Sequence, residues 1–72
     1  MEVLQLLNNV HKYRKLKKMT QEELASLVGV TRQTIISIEQ GKYIASLPLA
    51  LKMADIFEVS VEDIFILEDK EK

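Results

Sequence analysis

From about residue 9 to residue 67 the apolar side chains recur mostly at three- and four-residue spacing, and only Gly29, Gly41 and Pro48 punctuate the pattern. That is the period of helices lying on a core. A first helix is predicted from about Asn9 to Lys17, with Val10, Tyr13 and Leu16 turned inward and Lys12, Arg14, Lys15 and Lys17 mostly outward. Thr20-Gln21-Glu22-Glu23 has the form of a capping box, in which the hydroxyl takes the Glu23 amide and the Glu23 carboxylate reaches back. It opens a second helix that ends near Val28, because Gly29 can adopt the left-handed conformation without steric cost. Thr31 can cap a third helix running to Gln40. Ser46, with Pro48 in the first turn, starts a fourth, and Ser60 with Asp63 starts a fifth.

Only Gly29 and Val30 separate the second helix from the cap of the third, so the two must cross steeply and closely. Ala25, four residues before Gly29, is the small residue such an approach needs, and Leu24, Val28, Val30, Ile35 and Ile38 fill the surrounding core. With that joint spacing, the segment from Thr20 to Lys42 resembles the helix-turn-helix of the Cro and phage-repressor family, also called the Xre family. The segment from Ser46 to Phe65 looks like that family's last two helices, so the likeness covers about residues 8–66. It implies an all-α, five-helix Cro/repressor-like domain over residues 1–72, with the helix-turn-helix at about 20–40. It also implies a transcriptional regulator that binds double-stranded DNA in a sequence-specific way.

Ile35 and Ile38 mark the inner side of the third helix, which turns Arg32, Gln33, Ile36 and Ser37 to the opposite arc. In major-groove docking the early residues of such a helix meet base edges, where Gln can pair with adenine and Arg with guanine. The resemblance implies base contacts from Gln33, Ser37 and Arg32, with Thr34 touching backbone or base; an ordinary solvated helix face is the bland alternative. Ile36 departs from the family, which has a polar residue there, and either meets a thymine methyl group or is a scattered surface hydrophobe. Phosphate contacts are expected from Gln21, Thr31, Lys42 and Tyr43, at helix starts and beside the third helix. In the family, the glutamine matching Gln21 holds a phosphate. Glu39 sits at a helix C-terminus, where the dipole disfavours an anion, so it needs a cationic partner; resemblance names Arg14, as a structural ion pair. Lys18 stands where the family often has glycine.

Charge qualifies this picture. The net charge is −1, yet residues 1–43 carry seven Lys and Arg against four Glu, while residues 44–72 carry three Lys against seven acids. A phosphate backbone attracts the first half and repels the second, unless both are plain solvated surface. With no cysteine, one histidine and no glycine-rich phosphate loop, the chain offers little for nucleophilic, metal or nucleotide chemistry. No enzyme, cofactor or metal site is expected, and His11 reads as a surface residue. No apolar run approaches the ~20 residues that span a bilayer, so a cytoplasmic protein without membrane contact is expected.

A chain of 72 residues buries only about 60% of the surface its unfolded state exposes, which makes association a common remedy. The apolar residues of the fourth helix cover an arc of about 220°, more than one core face needs. A homodimer is expected to cover the excess, with Leu49, Met53 and Ile56 joined by Phe65, Ile66 and Leu67; a larger monomer core is the alternative. The apolar ends, Val3 to Leu7 and Ile64 to Leu67, suit short strands closing a dimer sheet, against a frayed or helical extension. Terminal extensions are placed at 1–8 and 66–72. Two recognition helices would then meet half-sites about 34 Å apart on a pseudopalindrome. The competing reading is an antitoxin that binds its own promoter and holds a protein partner through its acidic C-terminal end.

Overall fold

In the computed structural model, which describes residues 4–69, the order is β1 (Leu4–Asn8), α1 (Val10–Leu16), α2 (Gln21–Val28), α3 (Arg32–Glu39), α4 (Leu47–Phe57), α5 (Val61–Ile64) and β2 (Phe65–Asp69). The starts of α2 to α5 each find a side-chain acceptor. Thr20 Oγ1 accepts the Glu23 amide at 3.0 Å while Glu23 Oε1 accepts the Thr20 amide at 2.8 Å, and Ser60 and Asp63 repeat this box at 3.2 and 3.1 Å. Thr31 and Ser46 accept from the Thr34 and Leu49 amides. All of this is local, which is why it was readable in the sequence.

The ends of α1 to α4 share one device, a left-handed residue that lets amides turn back onto the last carbonyls. After α2 and α3 that residue is Gly29 (φ 79) and Gly41 (φ 77), and Lys42 N then donates to Ser37 O at 2.9 Å. After α1 and α4 it is Lys18 (φ 58) and Glu58 (φ 61), where a Cβ makes the conformation strained. Lys18 N donates to Lys15 O and Met19 N to Arg14 O, both at 3.0 Å, so the turn forms despite the missing glycine. Lys17 Nζ, 2.9 Å from Glu58 Oε1, joins the two strained turns.

Leu24, Ala25 and Val28 of α2 meet Ile35 and Ile38 of α3 in a core completed by Val10, Leu49, Met53, Phe57 and Ile64. Tyr13 stacks on Phe57 with ring centroids 5.8 Å apart, and Val30 is half-buried against the same cluster. One inward and one outward assignment in α1 change. Leu16 is exposed and Arg14 is buried, because Val10, Tyr13 and Arg14 share about 100° of the helix circumference and Leu16 lies outside it.

In α4 the buried set is Leu49, Ala50, Met53 and Phe57, again an arc of about 100°. Leu49 and Met53 are therefore core residues of one chain and have no surface to give a second copy, a correction to the expected interface. Ile56 is half-buried. The excess apolar arc is carried by Leu47 and Leu51, 68% and 54% exposed on the far side of the helix.

The two apolar ends are strands, and they pair antiparallel with each other, in a register that sets Leu4 opposite Asp69, Leu7 opposite Ile66 and Asn8 opposite Phe65. The pairing is made inside one chain where the sequence reading set it between two. Asn9 N donates to Ile64 O at 2.7 Å and Asn9 Nδ2 to Asp63 O at 3.0 Å, which bring the start of α1 against α5 and so align the strands flanking them. Of β2, Phe65 is half-buried while Ile66 and Leu67 are exposed. Of the expected extensions, residues 1–3 and 70–72 lie outside the described residues, Val3 among them.

Candidate functional site

With Ile35 and Ile38 buried, α3 presents Arg32 and Gln33 fully outward and Thr34, Ile36 and Ser37 half-buried along its flanks. A shallow hollow of about 280 Å³ is lined by Thr31, Gln33, Thr34, Ser37, Lys42 and Tyr43. It brings expected base readers and expected phosphate contacts to one surface. The Gly41 turn makes this possible, since it folds Lys42 back onto Ser37 instead of letting the chain leave along the helix axis.

Thr31 has two roles at this edge. Its Oγ1 accepts the Thr34 amide at 3.2 Å and lies 3.1 Å from Thr34 Oγ1, so the two hydroxyls share one network at the helix start. Gln21 and Arg32 face a second hollow, of about 520 Å³, completed by Arg14, Thr20 and Glu22. The expected contacts thus divide into two concavities on either side of the α3 N-terminus. Ile36 lines neither.

Beneath the second hollow lies a cluster around Glu39. Arg14 Nε donates to Glu39 Oε2 at 2.7 Å and Arg14 Nη2 to Oε1 at 3.3 Å, while Nη1 caps the α1 turn at Met19 O, 2.8 Å away. Gln21 Nε2 donates to Glu39 Oε1 at 3.2 Å. Burial by itself raises the Glu39 carboxyl, but hydrogen bonds from Arg14 and Gln21, the Arg14 charge and the His11 contact outweigh it and hold the group below the usual carboxylate range. The anion is thus kept at the unfavourable end of the α3 dipole by its neighbours.

Two residues of this architecture were missed in the sequence. His11 places Nδ1 3.1 Å from Arg14 Nη2 and 3.5 Å from Glu39 Oε1, and its position three residues before Arg14 was the available signal. Asn8 donates through Nδ2 to Ile38 O at 2.8 Å and accepts the Val10 amide, which ties β1 to the end of α3. No local pattern announces that bond. Among the described residues no cluster of His, Cys, Asp and Glu could hold a metal ion, and no helix is long and apolar enough to cross a membrane.

Comparison with known proteins agrees with this geometry. A helix-turn-helix family model matches residues 10–64. An uncharacterised HTH-type transcriptional regulator of Methanocaldococcus jannaschii is 58% identical over 64 residues, covering 89% of this chain and 97% of that one. The N-terminal DNA-binding domain of SinR from Bacillus subtilis superposes with a TM-score of 0.69 at 31% identity, over 75% of this chain and 80% of that domain. The restriction-modification controller protein C.AhdI from Aeromonas hydrophila gives 0.70 at 29% identity, over 76% and 83%.

Proposed function

The chain belongs to the helix-turn-helix family of DNA-binding transcriptional regulators, not to a family of enzymes, and from that footing we propose that it acts as a homodimer on a pseudopalindromic operator. The observation that carries the DNA contact is the first hollow, where Gln33, Thr34 and Ser37 share one surface with Thr31, Lys42 and Tyr43. Groups that read bases must be held in register by groups that grip phosphate, and here both kinds line one concavity.

In this reading Gln33 and Arg32 read base edges, Ser37 and Thr34 lie beside them, and Ile36 meets a thymine methyl group. Thr31, Lys42 and Tyr43 hold one phosphate strand and Gln21 the other side. The twofold contact uses side chains that one chain leaves exposed, Leu47 and Leu51 of α4 with Ile66 and Leu67 of β2. Ile56 and Phe65, half-buried against the core, are the remaining members of the expected interface. Selection from a random duplex library with purified protein tests the proposal. Enrichment of a pseudopalindrome with half-sites about one helical turn apart is the expected outcome; a library left without any enriched site refutes it.

A further inference from the structure

Glu39 Oε1 has three nitrogens around it: the donors Gln21 Nε2 at 3.2 Å and Arg14 Nη2 at 3.3 Å, and His11 Nδ1 at 3.5 Å, which can donate only when it carries a proton. A carboxylate oxygen offers about two lone-pair directions, and charge-assisted bonds are normally shorter than these, so the three compete. His11 Nδ1 also lies 3.1 Å from Arg14 Nη2. A neutral ring with its proton on Nε2 makes that contact as an acceptor, and a ring protonated at Nδ1 cannot. We propose that His11 is a positioning residue for Gln21: protonation turns Nδ1 from an acceptor of Arg14 into a donor to Glu39, displaces the Gln21 amide from Oε1 and frees it for a DNA phosphate. This rests on the reading of Gln21 as a phosphate contact.

The groups facing the ring decide which member of the cluster yields. On α1 they are Arg14 and, one turn on, Lys15; on α3, Glu39; on α2, the uncharged Gln21, while Glu22 of α2 and Arg32 of α3 line the second hollow beside Arg14 and Gln21. Arg14 keeps its 2.7 Å bond to Oε2 and its 2.8 Å bond to the Met19 carbonyl whatever the ring does. Gln21 has one neutral bond of 3.2 Å to the cluster, and a neutral donor loses to a cation at a carboxylate. The proton comes from solvent, which the ring reaches because its side chain is 64% exposed. The hold on DNA thereby depends on whether the ring carries its second proton.

Two measurements test this. In the DNA-free protein, the Gln21 side-chain amide resonances are expected to shift together with the His11 ring resonances between about pH 8 and pH 5, and to stay in place in His11→Gln. On the duplex enriched by selection, acidification over that interval should raise wild-type affinity about fivefold more than that of His11→Gln, the worth of one net hydrogen bond. Gln21→Ala should lose the same increment. Gln21 resonances that ignore the His11 titration overturn the proposal, and so does an increment that survives in Gln21→Ala, which would make His11 a mere added charge. If no duplex is enriched, the regulator reading fails, while the resonances still decide the positioning role.

Discussion

Arg14 and Glu39 meet through two hydrogen bonds across 25 positions of sequence, with both side chains only 8% exposed. The pair locks α1 to the end of α3, so its loss acts on stability before anything else. Removing one partner of a buried pair leaves the other charge unpaired, which costs about 3 to 5 kcal/mol. Arg14→Ala is expected to lower the urea midpoint accordingly, whereas Arg14→Met with Glu39→Leu should recover most of the loss. An Arg14→Ala protein as stable as wild type would show the pair to be incidental.

Acid acts on the same cluster. Glu39 has a lower pKa folded than unfolded, so the folded chain binds fewer protons; the stabilisation is present above the unfolded carboxylate range and is lost as pH falls through the depressed folded value. Denaturation at neutral pH and in acid should find Glu39→Gln weaker than wild type at neutral pH but losing less on acidification. Glu58, lowered by the Lys17 hydrogen bond and charge, shifts in the same direction, yet its full exposure leaves it little weight.

Lys18 completes the α1 turn in the left-handed region at φ 58, where glycine carries no Cβ penalty. Lys18→Gly is expected to raise stability by about 0.5 to 1 kcal/mol, read as a higher Tm. The equivalent change at Glu58 should gain less, because it also removes the Lys17 contact. No gain at Lys18 would mean that the turn is not strained.

Base reading and phosphate gripping separate by their sequence dependence. Gln33→Ala should cost about 1 to 3 kcal/mol on the preferred site and relax one position per half-site. Lys42→Ala should weaken all duplexes alike and reduce the salt slope by about one. Binding titrations at several salt concentrations distinguish the two, and a uniform loss from Gln33→Ala would remove that residue from the readers.

The burial pattern in α4 predicts opposite results for neighbouring residues. Leu47→Glu with Leu51→Glu should leave the fold intact and shift sedimentation from dimer to monomer, since both side chains point away from the core. Met53→Ala, at a fully buried position, should cost about 2 to 5 kcal/mol whatever the oligomeric state. A double variant that sediments like wild type would move the twofold contact elsewhere.

The caps at Thr20, Thr31, Ser46 and Ser60, the helix-turn-helix spacing and the inner face of α3 were all set by the sequence itself. Each depends on residues within a turn or two of one another, where hydrogen-bond reach and helical period decide the outcome. Periodicity shows that a face is covered but not by what, so the placement of Arg14 against Glu39 and His11, and the assignment of Met53 to the core and of Leu47 and Leu51 to the surface, waited on tertiary packing. The same holds for β1 and β2. Their apolar runs were visible as strands, but pairing Leu7 with Ile66 requires the whole helical body to bring the two ends together, with Asn9 on α5 and Asn8 on the last turn of α3 fixing the meeting point. Non-local contacts of this kind are specified by the folded chain as a unit, and no short window of sequence contains them.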